Sequence, residues 1–132
     1  MTLENLLKIG RLKQHETNAA EVQRLLASIR RNLADAAVTN IIHETRFDTA
    51  HKAVMQCALV AMLTAGYRPS ATEPGHHQTM IQSLPLTLGV TNDQWVVLDA
   101  LRRQRNAADY TGQPITAALV AECLKKARML ER

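Results

Sequence analysis

Between Thr49 and Gly66 the chain is almost continuously apolar, running through Ala50, Ala53, Val54, Met55, Cys57, Ala58, Leu59, Val60, Ala61, Met62 and Leu63. Wound at about 3.6 residues per turn, this stretch is apolar around most of its circumference, so other elements must wrap it. Its alanines let those neighbours approach closely. Aromatic residues make up 3% of the chain against 46% apolar residues, so the wrapping core is built from Leu, Ala, Val, Ile and Met. That mixture favours helix over sheet. A chain of 132 residues has material for one such core. The expectation is an all-α, up-and-down bundle of about five to six helices in a single domain spanning residues 1–132.

The flanking segments supply the wrapping. Thr2 to about His15 carries Leu3, Leu6, Leu7, Ile9 and Leu12 at amphipathic spacing and reads as a short helix weakened at Gly10. Asn18 followed by Glu21 forms a capping-box pattern ahead of Val22, Leu25, Leu26, Ile29, Leu33, Ala36 and Ala37, a core-facing stripe whose outer side bears Arg24, Arg30 and Arg31. Thr39 to Asp48 reads either as a continuation of that helix or as a turn. Tyr67 to His76 reads as a long loop, because Pro69, Pro74 and Gly75 all oppose helix. A helix over about His77 to Leu88 follows, with Met80, Ile81 and Leu84 inward and an early kink or end at Pro85. Pro114 then opens a closing helix with Ile115, Leu119, Val120, Cys123, Leu124, Ala127 and Leu130 on its core side.

The side chains with chemistry to offer concentrate between Thr91 and Pro114. Thr91, Asn92 or Asp93 caps a helix over about Asp93 to Tyr110, and Gly112 releases it. Val97, Leu98, Ala100, Leu101 and Ala108 fall on one arc, expected to face the core. Asp99, Arg102, Arg103, Asn106, Asp109 and Tyr110 gather on the opposite arc as a polar strip. Arg105 falls between Leu98 and Leu101, so its guanidinium must snorkel outward or find a carboxylate, with Glu44 and Asp48 the two candidates. On the loop, Arg68, His76 and His77 are weighed for binding; the adjacent histidines invite a metal reading, but they point to different faces of a helix and no complete ligand set accompanies them. His51, inside the apolar helix, reads as a hydrogen-bonded structural histidine.

The segments FDTAHKAVMQCALVAMLTAGYRP, GHHQTMIQSL and RRQRNAADYTG together resemble the HEPN superfamily over roughly Arg46 to Gly112. The resemblance implies a helical bundle, commonly dimeric, in which an Arg, often followed by Asn, and a His several positions later sit in a groove between two protomers. Active members are metal-independent ribonucleases, and many occur with a nucleotidyltransferase partner in toxin–antitoxin-like pairs; others bind without cutting. Arg105 and Asn106 match the motif, and Tyr110 stands where the His would be. The catalytic candidates carried over are therefore Arg105, Asn106 and Tyr110, with Arg102, Arg103, Asp99, Asp109, Arg68 and His76 as phosphate-binding or interface candidates. A phenol titrates near pH 10 and an imidazole near neutrality, so Tyr110 suits stacking or hydrogen bonding better than proton abstraction. The expected function is an RNA- or nucleotide-binding accessory module without efficient nuclease activity. The alternatives are a structural homodimer, or an active ribonuclease using the divergent Arg-Asn-x-x-x-Tyr pattern.

A net charge of +4 is compatible with a polyanionic partner but does not by itself specify one. Cys57 and Cys123 lack companions at metal-ligand spacing and read as small buried hydrophobes. Neither a metal nor a cofactor is expected. Charges at Glu4, Lys8, Arg11 and Lys13 interrupt any signal-like apolar run, and no apolar stretch is long enough to span a bilayer, so the chain is expected to be cytoplasmic and free of membrane.

Overall fold

The computed structural model describes residues 2–70 and 76–131. Its elements in order are α1 (Leu3–Lys8), β1 (Leu12–Gln14), α2 (Ala19–Ala36), α3 (His43–Thr64), β2 (Tyr67–Pro69), α4 (His76–Gln82), α5 (Leu84–Thr87), α6 (Asn92–Thr111) and α7 (Ala117–Glu131). The protein is mostly helical, and its only sheet among the described residues is the small β1–β2 pair. Helix α3 is the axle. It packs chiefly against α2 and α7 and also meets α4, α5, α6 and β2, as its all-round apolar surface requires. Phe47, Ala50, Ala53, Val54, Ala58 and Met62 on α3 are buried, and they join Ile29, Leu98, Val120 and Cys123 in one continuous core.

The helix boundaries follow local chemistry. Asn18 accepts a hydrogen bond from the Glu21 amide at 2.9 Å and starts α2. The Glu21 carboxylate does not complete the capping box but meets His15 Nε2 at 3.0 Å. Arg46 donates from Nε to the Ala36 carbonyl at 2.9 Å, satisfying a free carbonyl at the end of α2 from the first turns of α3. Thr91 and Gln94 form a reciprocal capping box at the start of α6, and Gly112, at φ 71°, ends it in the left-handed conformation.

Several segments differ from the expectations above. The N-terminal helix stops at Lys8 rather than near His15. Gly10 turns the chain at φ 79°, and Leu12–Gln14 then pairs antiparallel with Tyr67–Pro69, in the register Leu12 to Pro69, Lys13 to Arg68 and Gln14 to Tyr67. Part of the expected Tyr67 to His76 loop is therefore strand; its Pro74 and Gly75 lie outside the described residues. The stretch from Thr39 divides, with a break after α2 and the first turns of α3 beginning at His43, earlier than Thr49. Around Pro85 the expected helix splits into α4 and α5 at Ser83, while Met80, Ile81 and Leu84 are buried as anticipated. Pro114 stays in the linker; Thr116 caps α7 by accepting from the Leu119 amide at 3.2 Å.

Among the described residues no helix is long and apolar enough to cross a membrane.

Candidate functional site

The site is a cleft of about 680 Å³ walled by α3 and closed by β2, α4 and the C-terminal half of α6. Along α3 it is lined by Asp48, Thr49, His51, Lys52, Met55, Gln56 and Leu59; Pro69 comes from β2, His77 and Met80 from α4, and Arg105 from α6. Positions 48, 52, 55 and 59 recur at helical spacing, so one face of the central helix turns out of the core to form the long wall. The volume falls within the range typical of small-molecule pockets.

Arg105 resolves its steric dilemma at the mouth of this cleft. Its Nε lies 3.8 Å from Asp48 Oδ1, with the two side chains about one third and one half exposed. At that distance and exposure the pair is loose, worth no more than about 1 kcal/mol. Glu44, the other acid considered, is engaged with the backbone amide of Ile115 at 3.5 Å. Burial holds the Asp48 carboxyl above its ordinary pKa, the Asp109 and Glu44 charges adding to the rise and Arg105 opposing it.

His51 departs from the expectation of a satisfied structural histidine. It is 1% exposed and stacks on Phe47 with ring centroids 6.2 Å apart, yet its Nε2 has no hydrogen-bond partner among the described residues. Phe47, Ala50 and Val54 adjoin it on α3 without offering a polar atom, and neither Asp48 nor Lys52, its polar neighbours on that helix, is hydrogen-bonded to Nε2. Burial lowers its pKa to about 4, reinforced by the positive charge of Arg105 and by His77 and Arg102. The imidazole is therefore neutral at physiological pH.

The expected polar strip on α6 is only partly a strip. Asp99 is buried at 4% exposure, with Oδ1 accepting from Arg102 Nε at 2.9 Å and Oδ2 lying 3.1 Å from Arg103 Nη2. Arg102 is largely covered as well. Both belong to the packed face of the helix, because α6 beds against α3, α4, α5 and α7 over a wider arc than its apolar residues alone define. Ala100, assigned to the core arc, is exposed. Beyond Arg102 the outer side of the helix is in solvent, with Arg103, Asn106, Asp109 and Tyr110 exposed, Tyr110 at 86%, while Ala108 stays packed against the core. Arg105 joins the cleft, whereas Asn106 and Tyr110 do not line it. Arg68 sits opposite Lys13 in the small sheet and also lies off the cleft lining. His76 opens α4, and its side chain lies outside the described residues.

Sequence reasoning passed over Lys52 and treated His51 as structural and His77 as a helix entry. A usable signal was present. Asp48, Lys52, Met55 and Leu59 form a line at three- and four-residue spacing, and two charged members in such a line mark a face of an otherwise apolar helix that does not simply join the core. No family model, curated protein or solved structure matches this chain.

Proposed function

We propose that this chain is a HEPN-like RNA-binding accessory module, of the kind that accompanies a nucleotidyltransferase or a toxin, and that it holds single-stranded RNA without cutting it efficiently. The observation that carries this reading is the solvent-facing side of the C-terminal half of α6. A phenol at 86% exposure stands on the same helical segment as the exposed Arg103 and Asn106, one turn from a loosely paired Arg105. Aromatic faces recover stacking energy on unpaired bases, and guanidiniums hold the phosphates between them. Val96, Arg103 and Tyr110 are exposed at seven-residue spacing, which also gives a second copy or a nucleotidyltransferase a continuous edge of α6 to contact.

Weak turnover is argued from proton chemistry. Cleavage through a ribose 2′-hydroxyl needs an acceptor that is both accessible and basic near neutrality. His51 is buried and depressed to about 4, no histidine occupies α6, and the exposed His77 lies on α4 in the Arg105 cleft, which Asn106 and Tyr110 do not line.

Fluorescence anisotropy with labelled single-stranded RNA tests the reading. Tyr110→Ala is expected to weaken binding by about 1–3 kcal/mol, the usual worth of one stacked base. Arg103→Ala should reduce the steepness of the salt dependence by roughly one counterion. RNA recovered from the mixture should be intact on a denaturing gel. Absence of binding at low salt, or binding indifferent to both substitutions, refutes the assignment.

A further inference from the structure

The cleft has a polarity that RNA binding along α6 does not use. At its α6 end stand Arg105 and Lys52, with His77 beside them on the lining; away from that end the walls are Met55, Leu59, Pro69 and Met80. Among the described residues Arg105 makes one ion pair, the loose Asp48 contact. Its planar fork suits a carboxylate, which it can grip through two parallel hydrogen bonds. Among the described residues the lining holds no Phe, Tyr or Trp, its aromatic rings being the imidazoles of His51, which is buried, and His77, whereas two methionines and a leucine adapt readily to a flexible aliphatic chain. His51 also belongs to the lining, buried at 1% exposure, and its Nε2 lacks a partner among the described residues.

We propose that this cleft is a binding site for a small amphipathic carboxylate, an unbranched medium-chain fatty acid or a molecule of like shape, with its head on Arg105 and Lys52 and its tail between Met55, Leu59 and Met80. Charge complementarity selects the head and the aliphatic lining selects the tail. The raised pKa of Asp48 fits this occupancy: when the ligand takes the guanidinium, Asp48 can release Arg105 and accept a proton instead of remaining as an uncompensated charge beside Asp109. The site stands independently of RNA binding, and because both would use Arg105, a bound carboxylate would remove that guanidinium from RNA contact.

Isothermal titration calorimetry in the absence of RNA, using sodium decanoate below its micellar concentration, sodium acetate and adenosine monophosphate, tests the proposal. Decanoate is expected to bind the intact chain with one-to-one stoichiometry, and at least about tenfold more tightly than acetate, since each buried methylene is worth about 0.8 kcal/mol. Arg105→Gln should weaken decanoate about tenfold, and Lys52→Gln, at an exposed position that does not threaten folding, should weaken it severalfold. The 15N resonance of His51 Nε2 should move on addition of decanoate. Three results overturn the proposal: no heat with decanoate; binding unaffected by both substitutions; or adenosine monophosphate binding as tightly as decanoate, which would assign the cleft to nucleotides. None depends on whether α6 binds RNA.

Discussion

His51 concentrates the tension of the site in one side chain. It is buried against Phe47, without an Nε2 partner among the described residues, and depressed from 6.5 to about 4 by burial and by the positive charge of Arg105. Between those two pH values the unfolded chain carries a proton on this histidine that the folded chain does not, so folding stability falls as pH drops through the window and is regained above it. The full loss between pH 7 and 4 from this residue is about 3 kcal/mol. Asp48 acts with the opposite sign: its raised pKa lets the folded state bind a proton more readily, adding stability on the acid side. Urea midpoints followed from pH 7 to pH 4 should therefore decline in the wild type and decline less in His51→Gln. Parallel curves for the two proteins would mean that the imidazole is not desolvated as described.

At the scale of one element, α6 has two faces of different physical character. Its packed face meets four neighbouring helices and carries a buried acid with two arginines folded back onto it; its outer face toward the C-terminus carries Asn106, Asp109 and Tyr110 in water, while Ala108 still packs against the core. Asp99 neutralises Arg102 where the latter is mostly covered, so Asp99→Leu strands a guanidinium and should cost about 1–3 kcal/mol. In Asp99→Leu combined with Arg102→Leu both charges are gone, and chemical denaturation should recover most of that loss. Additive losses would show that the pair is not coupled. This element also shows what sequence can convey. Thr91, Gly112 and the inward Leu98 and Leu101 were legible because capping chemistry and helical period are local. The burial of Asp99 was not, because it depends on partners three and four residues away on the same helix together with neighbouring helices that cover Asp99 and Arg102 but leave Arg103 exposed. The two strands escaped notice for a related reason: three-residue segments are defined by their pairing across more than fifty positions rather than by their own pattern. Likewise, the partner of Arg105 could be narrowed to Glu44 or Asp48 from sequence, but only the backbone amide of Ile115, occupying Glu44, decides between them.

For the whole molecule, the central position of α3 makes thiol chemistry a reporter of global unfolding. Cys57 on α3 is 5% exposed and Cys123 on α7 is 0% exposed, and the two helices form one of the two most extensive contacts in the bundle. Burial pushes both thiols up to about 12, with Glu131 adding to the rise at Cys57 and Glu122 at Cys123, so the reactive thiolate is scarce in the folded state even where reagent could reach. An aromatic disulfide reagent at neutral pH should therefore leave both cysteines unmodified for as long as the chain is folded. Across a urea series, the onset of modification should coincide with the loss of helical circular dichroism, because neither α3 nor α7 can leave the core without exposing the other. Modification of one thiol well before the helical signal changes would reveal local opening. Were Cys123 that thiol, α7 would be detaching while α2 and α3 remain paired, and the bundle would be a stable helical pair with a separable closing wall rather than one cooperative core.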